Sequence, residues 1–354
     1  MGKFSHTVKN MVRPTLTDVA RHANVAVSTA SKALNKTGRI SAETRRRVLE
    51  AASELGYEKT TSKAQFHSGL VGLITSDMNG RFALPLLMGA ESSLGASNHA
   101  ALLMVSRGET SLEKSHINQL AAQGIDGLIV VGESTNPRAP LNPSITLDLP
   151  VIYAYAPSKN PHDCSVTCDN VRAGYAAIEY LLSGGKRRIA IIGGGENIVA
   201  TGDRIRGARM AFKAHGMAPL DVISDNWSED WGEMAAHSLL HRFPKLDAFY
   251  CLSDAIARGA VRGVQDTGRH VPSEVAVIGH DNLDVFATDS RPALTTFDNN
   301  LGVVGKTAAQ LLLDAMHGHP HHGTTLVGCP LIARETTPRH AVDRITINTT
   351  NTRP

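Results

Sequence analysis

Cysteine is scarce in this chain: Cys164, Cys168, Cys251 and Cys329 are the four in 354 residues. That is too few for a disulfide scaffold and fits a protein folded around its own core in a reducing cytoplasm. Aromatic residues make up only 5%, with two tryptophans. No apolar run approaches the ~18 residues that a membrane helix needs, so no span is expected. The opening MGKFSHTVKN lacks the apolar centre of a secretory signal. Met1-Gly2 is followed by His6 where the myristoylation pattern needs Ser or Thr. Gly305-Lys306-Thr307 looks like the end of a phosphate loop, but Asn300 stands where that loop needs glycine. Gly193-Gly194-Gly195 lacks the dinucleotide spacing. Cys164 and Cys168 have no second cysteine pair for zinc. His317, His319, His321 and His322 surround Gly318 and Pro320, the composition of an exposed turn and not of a metal site. No nucleophile–base pair or complete catalytic motif stands out. The chain is therefore not read as an enzyme, and no cofactor or metal is expected.

What is present is concentrated at one end. Residues 1–63 hold 12 Lys and Arg against 5 Asp and Glu, and the remainder 24 against 28. A basic head of net +7 on a body of net −4 is the electrostatic footprint of nucleic-acid binding. Within the head, Thr15–Asn35 reads as two short helices around a tight turn. Leu16, Val19, Ala20 and Ala23 share one apolar face, and Thr15 with Asp18 makes a capping box. Asn24 sits at the turn, where its side chain tolerates the left-handed conformation. In the second helix Ala30, Ala33 and Leu34 face inward, and Val27, Ser28, Ser31 and Lys32 face outward. That outward face is small, polar and basic, which suits a major groove. Ser41 caps a third helix that runs to Leu55, with Arg45-Arg46-Arg47 in its first turns.

Residues 1–14 read as a disordered lead and 58–69 as a linker. From Leu70 strands alternate with helices. Strand-like runs are Leu70–Thr75, Ala100–Val105, Gly127–Val131, Pro150–Tyr155, Arg188–Ile192, Asp247–Leu252 and Glu274–Ile278. Helix-like runs are Pro85–Ala96, Leu112–Ala122, Val171–Leu182, Asp203–His215, Trp231–Arg242, Ala255–Thr267 and Val303–Met316. This alternation calls for parallel sheets covered by helices on both faces, and so many units call for two doubly wound α/β lobes. A ligand in such a fold sits at the carboxyl ends of the strands, here between the lobes.

Both regions resemble one family. Thr15-Leu16, Asp18-Val19-Ala20, Ala23, Val25, Thr29, Ser31, Leu34-Asn35, Ile40-Ser41, Thr44-Arg45, Arg47-Val48, Ala52, Leu55 and Tyr57 match, in order and spacing, the helix-turn-helix head of the lactose-repressor (LacI/GalR) family of bacterial transcription regulators. Asp77, Phe82, Gly89 and Glu91, Asp169-Asn170, Arg204-Ile205-Arg206-Gly207, Ser253-Asp254, Val277–Asn282 and Pro292–Thr296 resemble its effector domain, which is built like a type I periplasmic sugar-binding protein. The resemblance implies an all-α head over 15–57, a hinge over 58–69, a two-lobed effector and dimerisation domain over 70–336 and a polar tail over 337–354. That tail has no leucine heptads, so a homodimer is the expectation.

The resemblance also assigns roles. Val27, Ser28 and Lys32 fall on base-reading positions. Thr15, Thr29, Ser31, Asn35, Arg39, Ser41 and Thr44 fall on phosphate positions. Phe66 falls on the hinge residue that wedges into the minor groove, although Lys59 replaces the usual proline there and Thr60-Thr61 form helix poorly. Asp77, Phe82, Tyr155, Arg204, Trp227, Asp254, Asp281 and Asn299 fall on effector-facing positions. The implied protein is a cytoplasmic repressor of pseudo-palindromic, double-stranded operator DNA, controlled by a sugar or polyol. The rival is a sugar-binding or sugar-modifying protein of the same body fold with no DNA role. Three departures in the head matter. Asn24 replaces the turn glycine, Ala26 replaces the capping serine at a cost of ~1 kcal/mol, and Lys32 replaces an arginine with its more rigid fork. In the body, Tyr155 and Trp231 stand where Asp and Ser are common.

Overall fold

The computed structural model describes residues 15–34, 40–55, 68–77, 80–142, 146 and 149–338. The chain divides into two compact units at the Phe66–His67 bond. Asn35, Arg39 and Phe66, the lead and most of the linker and tail lie outside the described residues.

The first unit is a three-helix head: α1 (Leu16–His22), α2 (Val27–Leu34) and α3 (Ala42–Glu54). Thr15 and Asp18 form the capping box reciprocally. Asn24 takes φ 51°, the left-handed value the turn requires. Val19, Ala20, Ala23, Ala30, Ala33, Val48, Ala51 and Ala52 make the core, with Leu16, Val25, Leu34, Ile40 and Leu55 packed around it. Most of these are alanines, so the helices approach closely but bury little apolar area.

The second unit has two lobes. Lobe 1 holds the parallel sheet β11-β5-β4-β3-β1-β2, made of β1 (Leu70–Thr75), β2 (Ala100–Val105), β3 (Gly127–Val131), β4 (Val151–Ala154), β5 (Cys164–Cys168) and β11 (Gly323–Val327). Lobe 2 holds the sheet β12-β10-β9-β8-β6-β7, made of β6 (Ile189–Gly193), β7 (Val222–Ser224), β8 (Ala248–Cys251), β9 (Ala276–Asp281), β10 (Thr295–Asp298) and β12 (Leu331–Ile332). Among the described residues, only the β10–β12 pair is antiparallel. The helices are α4 (Ala83–Ala96), α5 (Thr110–Ala122), α6 (Asn170–Ser183), α7 (Val199–Ala214), α8 (Glu229–Arg242), α9 (Asp254–Asp266), the short α10 (Asp284–Ala287) and α11 (Leu301–Met316).

All seven strand-like and all seven helix-like runs form their elements. Strands β5, β7, β10, β11 and β12 were not among the runs. They are short or polar, as in Cys-Ser-Val-Thr-Cys and Thr-Thr-Phe-Asp. Two boundaries shift. Ser68 and Gly69 donate their N–H groups to the Asp126 carboxylate, so they belong to lobe 1 and not to a free linker. Thr337 is buried, its hydroxyl 2.8 Å from that of Thr295, so the body extends past 336.

Three helix pairs close on glycines. Gly174 and Gly207 bring α6 and α7 together, Gly232 and Gly259 do so for α8 and α9, and Gly89 and Gly305 for α4 and α11. At each, a Cβ would lie about 2 Å from a carbonyl oxygen of the facing helix. This is the function of Gly305 in the Gly-Lys-Thr triplet: it seats α11 against Leu86.

The chain passes between lobes three times, after β5, after β10 and after β11. These crossings lie side by side. Asp169 N–H donates to the Val327 carbonyl, Asn300 Nδ2 to Gly328, and the Cys168 thiol to the Asn299 carbonyl. A hinge of three adjacent strands lets the lobes rotate while both sheets stay intact.

Candidate functional site

In the head, α2 presents Val27, Ser28 and Lys32 to solvent while Ala30 and Ala33 are buried. Thr29 and Ser31 are half-buried on its flanks. The hydroxyls at two proposed phosphate positions are used within the fold. Thr15 Oγ1 donates to Asp18, whose carboxyl these bonds hold below its ordinary range, and Ser41 Oγ donates to Thr44 Oγ1. The three arginines of α3 differ. Arg46 pairs with Glu50. Arg47 Nη2 donates to the Ala23 carbonyl at 2.6 Å and to that of Asn24. Arg47 thus closes the end of α1 and holds the turn.

In the body, the strand ends of both lobes bring a polar network together. Arg204, on α7, is 2% exposed. Its Nε donates to Asn170 Oδ1, Nη1 to the Leu252 carbonyl and Nη2 to Asn299 Oδ1. Asn299 is equally buried, and its Nδ2 donates to Asp281 Oδ1 at 2.9 Å. His280 completes the hub, with Nε2 3.2 Å from Asn299 Oδ1; burial and Arg204 hold its pKa well below the usual value, so it is the neutral donor. Asp281 has φ 111° and Asn282 φ 57°, a left-handed pair that turns the carboxylate back toward Arg204, 3.7 Å away. Strain of this kind persists where the surroundings over-determine it.

Opposite this network, Phe82 stacks on Tyr155 with ring centroids 4.8 Å apart. Tyr155 is buried, and burial pushes its phenol pKa well up. Trp227 lies flat on Gly194, where a Cβ would sit about 2 Å from the indole. The glycine triplet after β6 therefore makes room for an aromatic wall. Trp231 Nε1 donates to the Gly193 carbonyl on the same strand end.

Two proposed ligand carboxylates have structural work instead. Asp77 Oδ2 accepts from the N–H groups of Phe82 and Ala83 and so starts α4. Asp254 is fully buried, with Thr296 Oγ1 and the Leu283 N–H on its two oxygens. Burial and Asp281 push its pKa up to about 7. Sequence reasoning missed Arg81, whose Nη2 lies 2.6 Å from Asp281 Oδ2. It also missed Asn136, Asn170 and His280 as members of the site. Asn170 and His280 fell within matched segments, where nothing distinguished them from their neighbours; Arg81 and Asn136 fell within none. Among the histidines of the 317–322 stretch, His321 pairs with Asp314 and His322 with the His162 carbonyl, so they do not converge. Glu233, His237 and Asp266 place ligand-type atoms within 4.8 Å of one another on α8 and α9, where Glu233 already pairs with Arg262.

A three-helix head with an exposed recognition face, in one chain with a two-lobed body that has a polar and aromatic interlobe site, defines a ligand-responsive DNA-binding regulator. Residues 15–59 match the family model of bacterial regulatory proteins of the lacI family, and 178–337 match the periplasmic binding protein-like domain. The HTH-type transcriptional regulator CelR of Thermobifida fusca is 31% identical over 89% of this chain and 95% of its own length. The repressor CytR of Escherichia coli K12 is 30% identical over 93% and 98%. The chain belongs to the lacI family. Among solved structures, a CelR–cellobiose complex superposes with TM-score 0.63 at 29% identity, covering 92% of this chain and all of that one. A lac repressor dimer bound to operator and an anti-inducer shares the fold, with TM-score 0.65 at 23% identity over 92% of this chain and 99% of that one.

Proposed function

We propose that this protein is a cytoplasmic, homodimeric repressor that binds a pseudo-palindromic operator and answers to a sugar in the interlobe site. The observation that carries the reading is α2, whose outward Val27, Ser28 and Lys32 stand on a fully formed helix-turn-helix core. These three read base edges. Thr15, Thr29, Ser31, Asn35, Arg39, Ser41 and Thr44 hold phosphates, and Phe66 wedges at the hinge. In the body the Phe82–Tyr155 stack and Trp227 supply apolar faces for a sugar ring, and Asp281 accepts its hydroxyls. Arg204 and Asn299 hold Asp281 in place, while Asp77 and Asp254 act as supports. The cellobiose of the related complex makes a β-linked disaccharide the first probe.

The test is selection of duplexes from a random pool, followed by titration with salt and with a sugar panel that includes cellobiose. The expected result is enrichment of an inverted repeat, retention that falls steeply with salt, and altered operator affinity with one sugar. Failure to enrich any sequence would favour the sugar-binding rival. Enrichment without a response to any sugar would remove the carbohydrate assignment and keep the DNA role.

A further inference from the structure

Helix α7 begins with no cap of its own. Its N-cap residue is Ile198, an apolar side chain that offers its free amides nothing. The acceptor comes from the other lobe. Asn136, in the loop after β3 of lobe 1, accepts the Val199 N–H on Oδ1 at 2.7 Å and donates Nδ2 to the Asn197 carbonyl at 3.1 Å. A second bridge joins the same two lobes at another strand end. Arg81, just before α4 of lobe 1, reaches Asp281 of lobe 2 at 2.6 Å and lies over the Phe82 ring at 5.1 Å. Arg81 is one-third exposed and Asp281 is buried, so the pair is only partly screened.

We propose that Arg81 and Asn136 form one latch that sets how readily the lobes open. Rotation about the three-strand hinge breaks both contacts together. Opening leaves the first turn of α7 uncapped and Asp281 without its outer partner. The lobe angle is thereby tied to the order of α7, the helix that carries Arg204. A hydroxyl donor arriving at Asp281 Oδ2 competes with Arg81 for the same oxygen. This last step rests on the sugar-site reading above; the latch itself does not.

The test is amide hydrogen exchange on the full chain, read at Val199 and the following turn. Asn136→Ala should speed exchange there about fivefold, the amount expected for a lost cap. Asn136→Asp keeps the acceptor beside the positive helix end and should keep protection. Arg81→Ala is the decisive variant, because Arg81 touches Asp281 and has no bond to residues 197–199. It should also speed exchange at Val199, since it lowers the closed population. Faster exchange in Arg81→Ala with small-angle scattering from a more open body supports the latch. Unchanged exchange at Val199 in Arg81→Ala would show two independent contacts and overturn it. If the sugar panel fails while these exchange effects appear, the latch stands and only the effector reading falls.

Discussion

Lys32 and Arg47 are both basic residues of the head, yet their side chains do different things. Lys32 projects from the exposed face of α2, while the Arg47 guanidinium is spent on the Ala23 and Asn24 carbonyls. Lys32→Ala should therefore flatten the discrimination between operator and scrambled DNA, by roughly 1–3 kcal/mol in competition binding. Arg47→Ala should lower the stability of the head by about 1 kcal/mol and weaken both DNAs by the same factor. Equal losses on both DNAs for Lys32→Ala would move it off the base-reading face. The spacing of α2 made its faces legible in the sequence. The role of Arg47 was not, because its acceptors lie 24 and 23 residues away along the chain.

At the scale of elements, the glycine crossings set how far each helix can approach its neighbour. Gly207 would place a Cβ 1.8 Å from the Val171 carbonyl, and Gly174 one 2.0 Å from that of Arg204. The atoms met at both positions are backbone, so no side chain can swing aside. Gly207→Ala should force α6 and α7 apart and destabilise the body by on the order of 1–3 kcal/mol, seen as a lower denaturation midpoint. Gly202 lies on the same helix with open space around it, so Gly202→Ala is the control. Residue type alone favours that control, since alanine is the better helix former. An equal loss in both variants would mean that the crossing is not what Gly207 serves. The helices themselves were evident from periodicity. Which glycines sit at a crossing depends on the pairing of elements that the chain order does not state.

At the scale of the molecule, the two units differ in what they bury. The head core is six alanines and two valines. The body buries larger residues, among them Tyr250, Phe212, Phe249 and Phe297. Both tryptophans, Trp227 and Trp231, belong to the body. Heating should therefore give a first loss of helical circular dichroism with no change in tryptophan emission, and a second loss at higher temperature that carries the emission change. One transition in which both signals move together would mean that the units unfold as a single cooperative body.

The sequence by itself determined the head, its outward face and the α/β character of the body, because each is a local matter of period, caps and charge. Arg204, Asp281 and Asn299 were singled out by the family resemblance, which matches residue types in order and says nothing of their contacts. Only the tertiary structure decided what those side chains do. Arg204 and Asn299 are buried holders of Asp281, Asp254 is locked by Thr296 and Leu283, and Arg81 meets Asp281 across 200 residues of chain. Hydrogen bonds have strict distance and direction, and burial removes the water that would otherwise satisfy these groups. A polar residue therefore takes its role from whatever the fold brings within 3 Å, and residue type and spacing do not reach that far.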